Sequence, residues 1–209
     1  MSVRIASGLV ICALMACLSG PASARQTAPE FPYVEQVPVR VNLVFYDVEG
    51  GTSRALEESI RFSGPIGYDA ETQVSMSTFW HYEFVGQRCH VATVDISLDI
   101  TIRYPNWTGF ERASRQRRAR WERRIAGLEA HENGHAALAF AGALDLHNEL
   151  ILYGQDVDCD SFEDGMQAIA DAAQTALRRR HREYDRITQH GVRQNAYDWT
   201  PITGPQPGP

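Results

Sequence analysis

The chain has 209 residues and carries a formal net charge of −6. That is room for one domain of ordinary size, and the acidic balance argues against nucleic acid as a partner. Every basic residue is arginine; lysine is absent.

Residues 1–24 read as a secretory signal. Arg4 supplies a positive start, Ile5 to Leu18 is largely apolar, and Ala22-Ser23-Ala24 is a small-x-small cleavage site. Leu14-Met15-Ala16-Cys17 loosely resembles a lipobox, which would make Cys17 a lipid anchor. The apolar run is too short for a comfortable span, and no later segment is apolar enough. The expectation is therefore an exported protein, periplasmic or secreted, with no integral span after cleavage. Cleavage leaves Cys89 and Cys159. In an oxidising compartment the pair predicts one disulfide.

Residues 25–36 are polar and contain proline, which predicts a flexible lead-in to a domain spanning 37–200. Val39 to Val48 reads as a strand. Thr52 or Ser53 can cap a short helix carrying Leu56 and Ile60 and ending at Gly64-Pro65. Two period-two segments follow. Val74, Met76, Thr78, Trp80, Tyr82 and Phe84 share one face; Ala92, Val94, Ile96, Leu98, Ile100 and Ile102 share another. The short link Gly86-Gln87-Arg88 makes them an antiparallel hairpin, and Pro105 is expected to stop the second strand.

From Phe110 to Tyr153 the pattern is helical, as one helix or two. Gly154 to Asp160 reads as a loop. Ser161 with Asp164 resembles a capping box opening a helix that runs to Asp185 or Thr188. Residues 201–209 form a Pro/Gly-rich tail. The expected class is α+β: a small antiparallel sheet in the N-terminal half, packed with two major helices in the C-terminal half. The arginine runs 112–124 and 178–182 read as solvated helix faces.

The chemistry concentrates in His131-Glu132-Asn133-Gly134-His135. On a helix, residues four apart share a face, so the two imidazoles can grip one metal ion. Glu132 is offset by about 100°, beside the ligands, where a base can take a proton from zinc-bound water. Trp121, Ile125, Leu128, His131, His135, Leu138 and Gly142 recur at three- and four-residue steps. The histidines therefore lie on an inward stripe. A catalytic zinc commonly takes three protein ligands. By chemistry the third is open among His147, Glu149, Glu163, His181, Asp185 and His190. Glu149 is about 27 Å from His131 along a straight helix.

The chain resembles the DUF922 family of bacterial exported proteins, described as predicted secreted zinc-dependent proteases. Tyr46-Asp47-Val48, Gly64-Pro65, Trp80, Cys89, Pro105-Asn106-Trp107, Leu128 through His135, and Tyr184-Asp185 with Thr188 and His190-Gly191 carry the likeness, between about Val39 and Trp199. It implies a second motif near the C-terminus that supplies the third ligand, with His190 favoured in that role and Asp185 the other named candidate. With His190 as the ligand, Asp185 and Tyr184 become residues that orient a ligand or stabilise an oxyanion. The function so implied is a zinc metallopeptidase acting on a peptide or protein, with His131, His135 and His190 on zinc and Glu132 as base. The alternatives are a non-catalytic metal-binding envelope protein and a zinc amidase acting on cell-wall peptides.

Overall fold

A computed structural model describes residues 26–199. The signal segment, Cys17 and the tail 201–209 lie outside the described residues. Strand β1 (Val39–Val48) leads into helix α1 (Ser53–Ser63), then strands β2 (Glu71–Val85) and β3 (Arg88–Trp107). Helix α2 (Arg115–Tyr153), the two-residue strand β4 (Val157–Asp158) and helix α3 (Cys159–Thr188) complete the order, with short 3-10 turns at Phe110–Arg112 and Gln194–Ala196.

The class is α+β, as expected, but the sheet is mixed. Its order is β1-β3-β2, with β4 added beside β3. β2 and β3 form the antiparallel hairpin, whereas β1 runs parallel to β3, Val39 opposite Leu98 and Val48 opposite Trp107. The reason is α1. It carries the chain from the end of β1 to the start of β2 across the same end of the sheet, so those two strands run oppositely. Thr52 caps α1, its hydroxyl accepting from the Ala55 amide at 3.2 Å.

β3 continues through Pro105 to Trp107. β2 begins opposite Arg103, so beyond that point one side of β3 is an edge, where a residue lacking N–H is tolerated. A second departure is a register shift between His81 and Tyr82, after which Tyr82 faces Val91. Ala92 is therefore exposed, and Val91 and Cys89 take the inward positions. A β-bulge reverses the alternation this way. It buries Cys89, which is bonded to Cys159.

Val94, Ile96, Leu98, Ile100, Ile102 and Tyr104 of β3 pack on Ala136, Ala139, Phe140, Ala143, Leu146 and Leu150 of α2, with Phe162 and Met166 of α3. Each fully buried Ile or Leu contributes about 1.5–3 kcal/mol, so this face holds the helices on the sheet. A second cluster joins Tyr46, Val48, Ile60, Trp107, Trp121 and Ile125. α2 is a single helix whose back half serves the first cluster and whose front half serves the second.

The arginines of that front half are not simply solvated. Arg117 stacks over Trp107 at 4.8 Å and donates to the Gly50 carbonyl at 2.7 Å. Arg124 pairs with Glu57 and Asp69. Within the lead-in, the Phe31 ring packs 5.0 Å from that of Phe140. The α3 cap is also displaced. Asp158, not Ser161, caps the helix, accepting from the Asp160 amide at 3.0 Å. No helix among the described residues is long and apolar enough to cross a membrane.

The bridge closes a separation of 70 residues, worth about 4 kcal/mol in the chain-entropy model. Protein lacking residues 1–24, alkylated without reduction, is expected to take up no reagent at Cys89 or Cys159. Reduction should lower the urea midpoint by a comparable free energy. A midpoint that does not move would deny the bridge a role in stability.

Candidate metal centre

α2 and α3 are joined by a short turn and pack antiparallel, which sets two i, i+4 pairs face to face. His131 and His135 come from α2; His181 and Asp185 come from α3. The approach is close because Gly134 lies between the two histidines. A Cβ there would sit 2.0 Å from the Tyr184 hydroxyl oxygen. Tyr184 is fully buried. Its hydroxyl donates to the His131 carbonyl at 3.1 Å, and its ring stacks on the His131 imidazole, 4.9 Å away and 9° from parallel.

One carboxylate oxygen collects both histidines. Asp185 Oδ1 is 3.1 Å from His131 Nε2 and 3.0 Å from His135 Nε2. The ligand atoms of His131, His135 and Asp185 all lie within 4.8 Å of one another, so this group can hold a metal ion. Burial pushes the Asp185 carboxyl up, but hydrogen bonds to both imidazoles outweigh it and hold the group below the usual carboxylate range.

Each histidine has a second contact at Nδ1. That of His131 faces Gln194 Oε1 at 3.4 Å, and that of His135 faces His181 Nδ1 at 2.8 Å. Burial lowers His181 to a pKa of about 4, with the neighbouring His135 adding to the effect.

Glu132 is buried beside the group, not within it. Its Oε2 accepts from the Thr72 hydroxyl at 2.7 Å, at the start of β2. Burial raises its pKa, and the Thr72 hydrogen bond and the two imidazoles oppose that. A cleft of about 670 Å³ opens onto His131, Glu132, His135, His181 and Asp185. One wall is the segment Ile66–Val74; the other includes His190 and Val192.

His190 is not part of the compact donor set. It lies past the end of α3 in a turn where Gln189, His190 and Gly191 all have positive φ. Its Nδ1 is 3.5 Å from Asp185 Oδ1, and its side chain is 53% exposed against 6% for His131. The turn needs glycine on two counts: Gly191 has φ +88°, and a Cβ there would meet His131 Cβ at 3.1 Å. The carboxylate that completes the compact donor group is Asp185, about one turn back on α3. Tyr184 fills the space between α2 and α3 at Gly134 and does not line the cleft. Glu163 lies elsewhere, accepting from Trp80 at 3.0 Å.

The residues missed in the sequence are Thr72 and Gln194. Thr72 carries no local signal, since only strand pairing brings it to α2. Gln194 donates to the Tyr184 hydroxyl and to the Ala130 carbonyl, the latter at 3.0 Å.

The pattern of one family, described as a bacterial protein of unknown function, DUF922, matches residues 43–191. The chain belongs to the DUF922 family. No curated protein and no solved structure matches it. The matched span covers the motif, Tyr184, Asp185 and His190, and ends just before Gln194. Other residues that carry the family likeness build the corner behind the cleft wall. The Tyr46 hydroxyl donates to the Asp69 carbonyl at 2.6 Å, and Asn106 donates to Asp47 at 2.7 Å.

Gly134→Ala should destabilise the fold by about 1–3 kcal/mol, the usual cost of overpacking, and disturb the donor group with it. Urea denaturation checks the first effect. Unchanged stability would mean that Tyr184 moves aside without cost.

Proposed function

We propose that the protein is an exported zinc metallopeptidase that hydrolyses amide bonds in a peptide or protein substrate. The observation that carries the reading is the convergence of two motif imidazoles and one carboxylate on a single point, with Glu132 buried alongside. Two nitrogens and an oxygen from three residues fit zinc, whose catalytic sites take three such ligands and leave a position open. His131, His135 and Asp185 would hold the ion, and Asp185 replaces His190 in the set. When bound, zinc acidifies a water toward pKa ~7 and polarises a carbonyl.

The chain's own groups do the remainder. Thr72 occupies Glu132 Oε2 and so fixes the carboxylate's orientation. Glu132 Oε1 is then the atom that takes the proton from the attacking water and later passes it to the leaving nitrogen. His190, at the mouth beside Tyr68 with ring centroids 5.2 Å apart, is placed to meet the substrate and not the ion. The Cys89–Cys159 bridge supports export, since such bonds persist in oxidising compartments.

Glu132→Gln should retain one zinc per chain while hydrolysis of a casein or mixed-peptide substrate falls by at least about 100-fold. His131→Ala and Asp185→Ala should lose the zinc, and His190→Ala should keep it. Metal analysis and a chelation–readdition assay read these outcomes. Full activity in Glu132→Gln would end the proposed mechanism. A zinc-loaded wild type that cleaves no peptide, protein or cell-wall substrate would leave a metal-binding envelope protein in its place.

A further inference from the structure

His181 takes no part in the chemistry above, yet it lies in the cleft wall and touches a ligand. Its Nδ1 is 2.8 Å from His135 Nδ1, the rings 5.0 Å apart and 34° from parallel. Its Nε2 is buried and has no hydrogen-bond partner among the described residues. The close His135–His181 contact calls for an account of its protons.

Proton counting supplies one. Two facing Nδ1 atoms at hydrogen-bond distance share a single proton; one ring donates and the other accepts. His135 Nε2 points at Asp185 Oδ1. For that nitrogen to offer a lone pair to a metal, the ring's proton must sit on Nδ1. It is then His135 that donates and His181 that accepts. His181, as a neutral ring, carries its own proton on Nε2, the atom without a partner. The arrangement at His131 is parallel. Its Nε2 also points at Asp185 Oδ1, and its Nδ1 faces the side-chain amide oxygen of Gln194. Each motif histidine thus has an acceptor behind it.

We infer that His181 is a positioning residue for the metal centre: its Nδ1 accepts the Nδ1 proton of His135 and so fixes that ring in the tautomer that can ligate. An imidazole in this place is unlike the carboxylate or backbone carbonyl that usually orients a ligating histidine. It accepts only in one of its two neutral forms. Metal-free, the shared proton can also sit on His181 Nδ1, and His135 then accepts it at Nδ1 and donates through Nε2 to Asp185. Loading selects one arrangement by moving a proton from Nε2 to Nδ1 on His135 and from Nδ1 to Nε2 on His181. No net proton is gained or lost by the two rings.

The inference rests on the metal-site reading, and zinc alone is the probe. Zinc affinity is measured by chelator competition on the mature full chain for wild type, His181→Ala and His181→Asn. Asparagine puts an acceptor oxygen close to the position of the lost Nδ1. The expected result is a 10- to 100-fold loss in the alanine variant, the usual range for removing such an orienting partner. The asparagine variant should lose less than about 10-fold, below the range for a missing orienting partner. Nitrogen-15 spectra of the zinc-loaded wild type should show His135 protonated at Nδ1 and His181 at Nε2. Unchanged affinity in His181→Ala overturns the inference, as does equal loss in both variants. If neither variant folds, the wild-type spectrum still decides, because a His181 proton on Nδ1 excludes the acceptor role. A wild type that binds no zinc defeats the metal-site reading itself, whereas a zinc-binding wild type with indifferent variants defeats only the role of His181.

Discussion

The spacing between α2 and α3 at Gly134 governs the geometry of the centre. The Tyr184 ring fills the place a side chain at Gly134 would take, and from there its hydroxyl reaches the His131 carbonyl. With the helices this close, a short aspartate on α3 can touch two imidazoles on α2. A wider gap would leave Asp185 short of both. Thr188 adds to the lock, its hydroxyl donating to the Tyr184 carbonyl at 2.7 Å.

The sheet contributes the other constraint. Glu132 points away from α3 toward the start of β2, where Thr72 holds it. The motif therefore divides its side chains between two neighbours, with the histidines facing α3 and the glutamate facing the sheet. This division follows from the helix alone, since adjacent residues lie about 100° apart. It also explains why the centre forms where α2 passes from one hydrophobic cluster to the other. The mixed sheet puts the start of β2 at that crossing.

Much of this was legible in the residues. The 3.6-residue stripe around His131 and His135 placed both imidazoles inward, and period-two runs marked β2 and β3. Local chemistry also narrowed the α1 cap to Thr52 or Ser53. What escaped was non-local. The bulge at His81 is invisible to a simple alternation and moved Ala92 out and Cys89 in. Pro105 looks like a strand end until β3 is seen to have lost its β2 neighbour there. The choice between Asp185 and His190 depended on where α3 stops. Nothing in composition shows that Gln189 and His190 adopt left-handed conformations that turn the chain and leave His190 at the mouth. The i, i+4 spacing of His181 and Asp185 was present in the sequence, but it acquires meaning only once α3 is known to face the motif.

The bridge between Cys89 and Cys159 lies at the opposite end of α3 from the donor group. Cys159 is the first residue of that helix, and Asp185 is 26 positions further, about 39 Å along the axis. Two smooth helices can slide past each other by one turn, about 5.4 Å, while keeping much of their apolar contact. Such a slip would replace Asp185 opposite the histidines with a residue three or four positions away. Tethering the start of α3 to the tip of the β2–β3 hairpin opposes that slip. The staple thus acts as an index mark at one end of a long ruler, keeping the far end in step with α2.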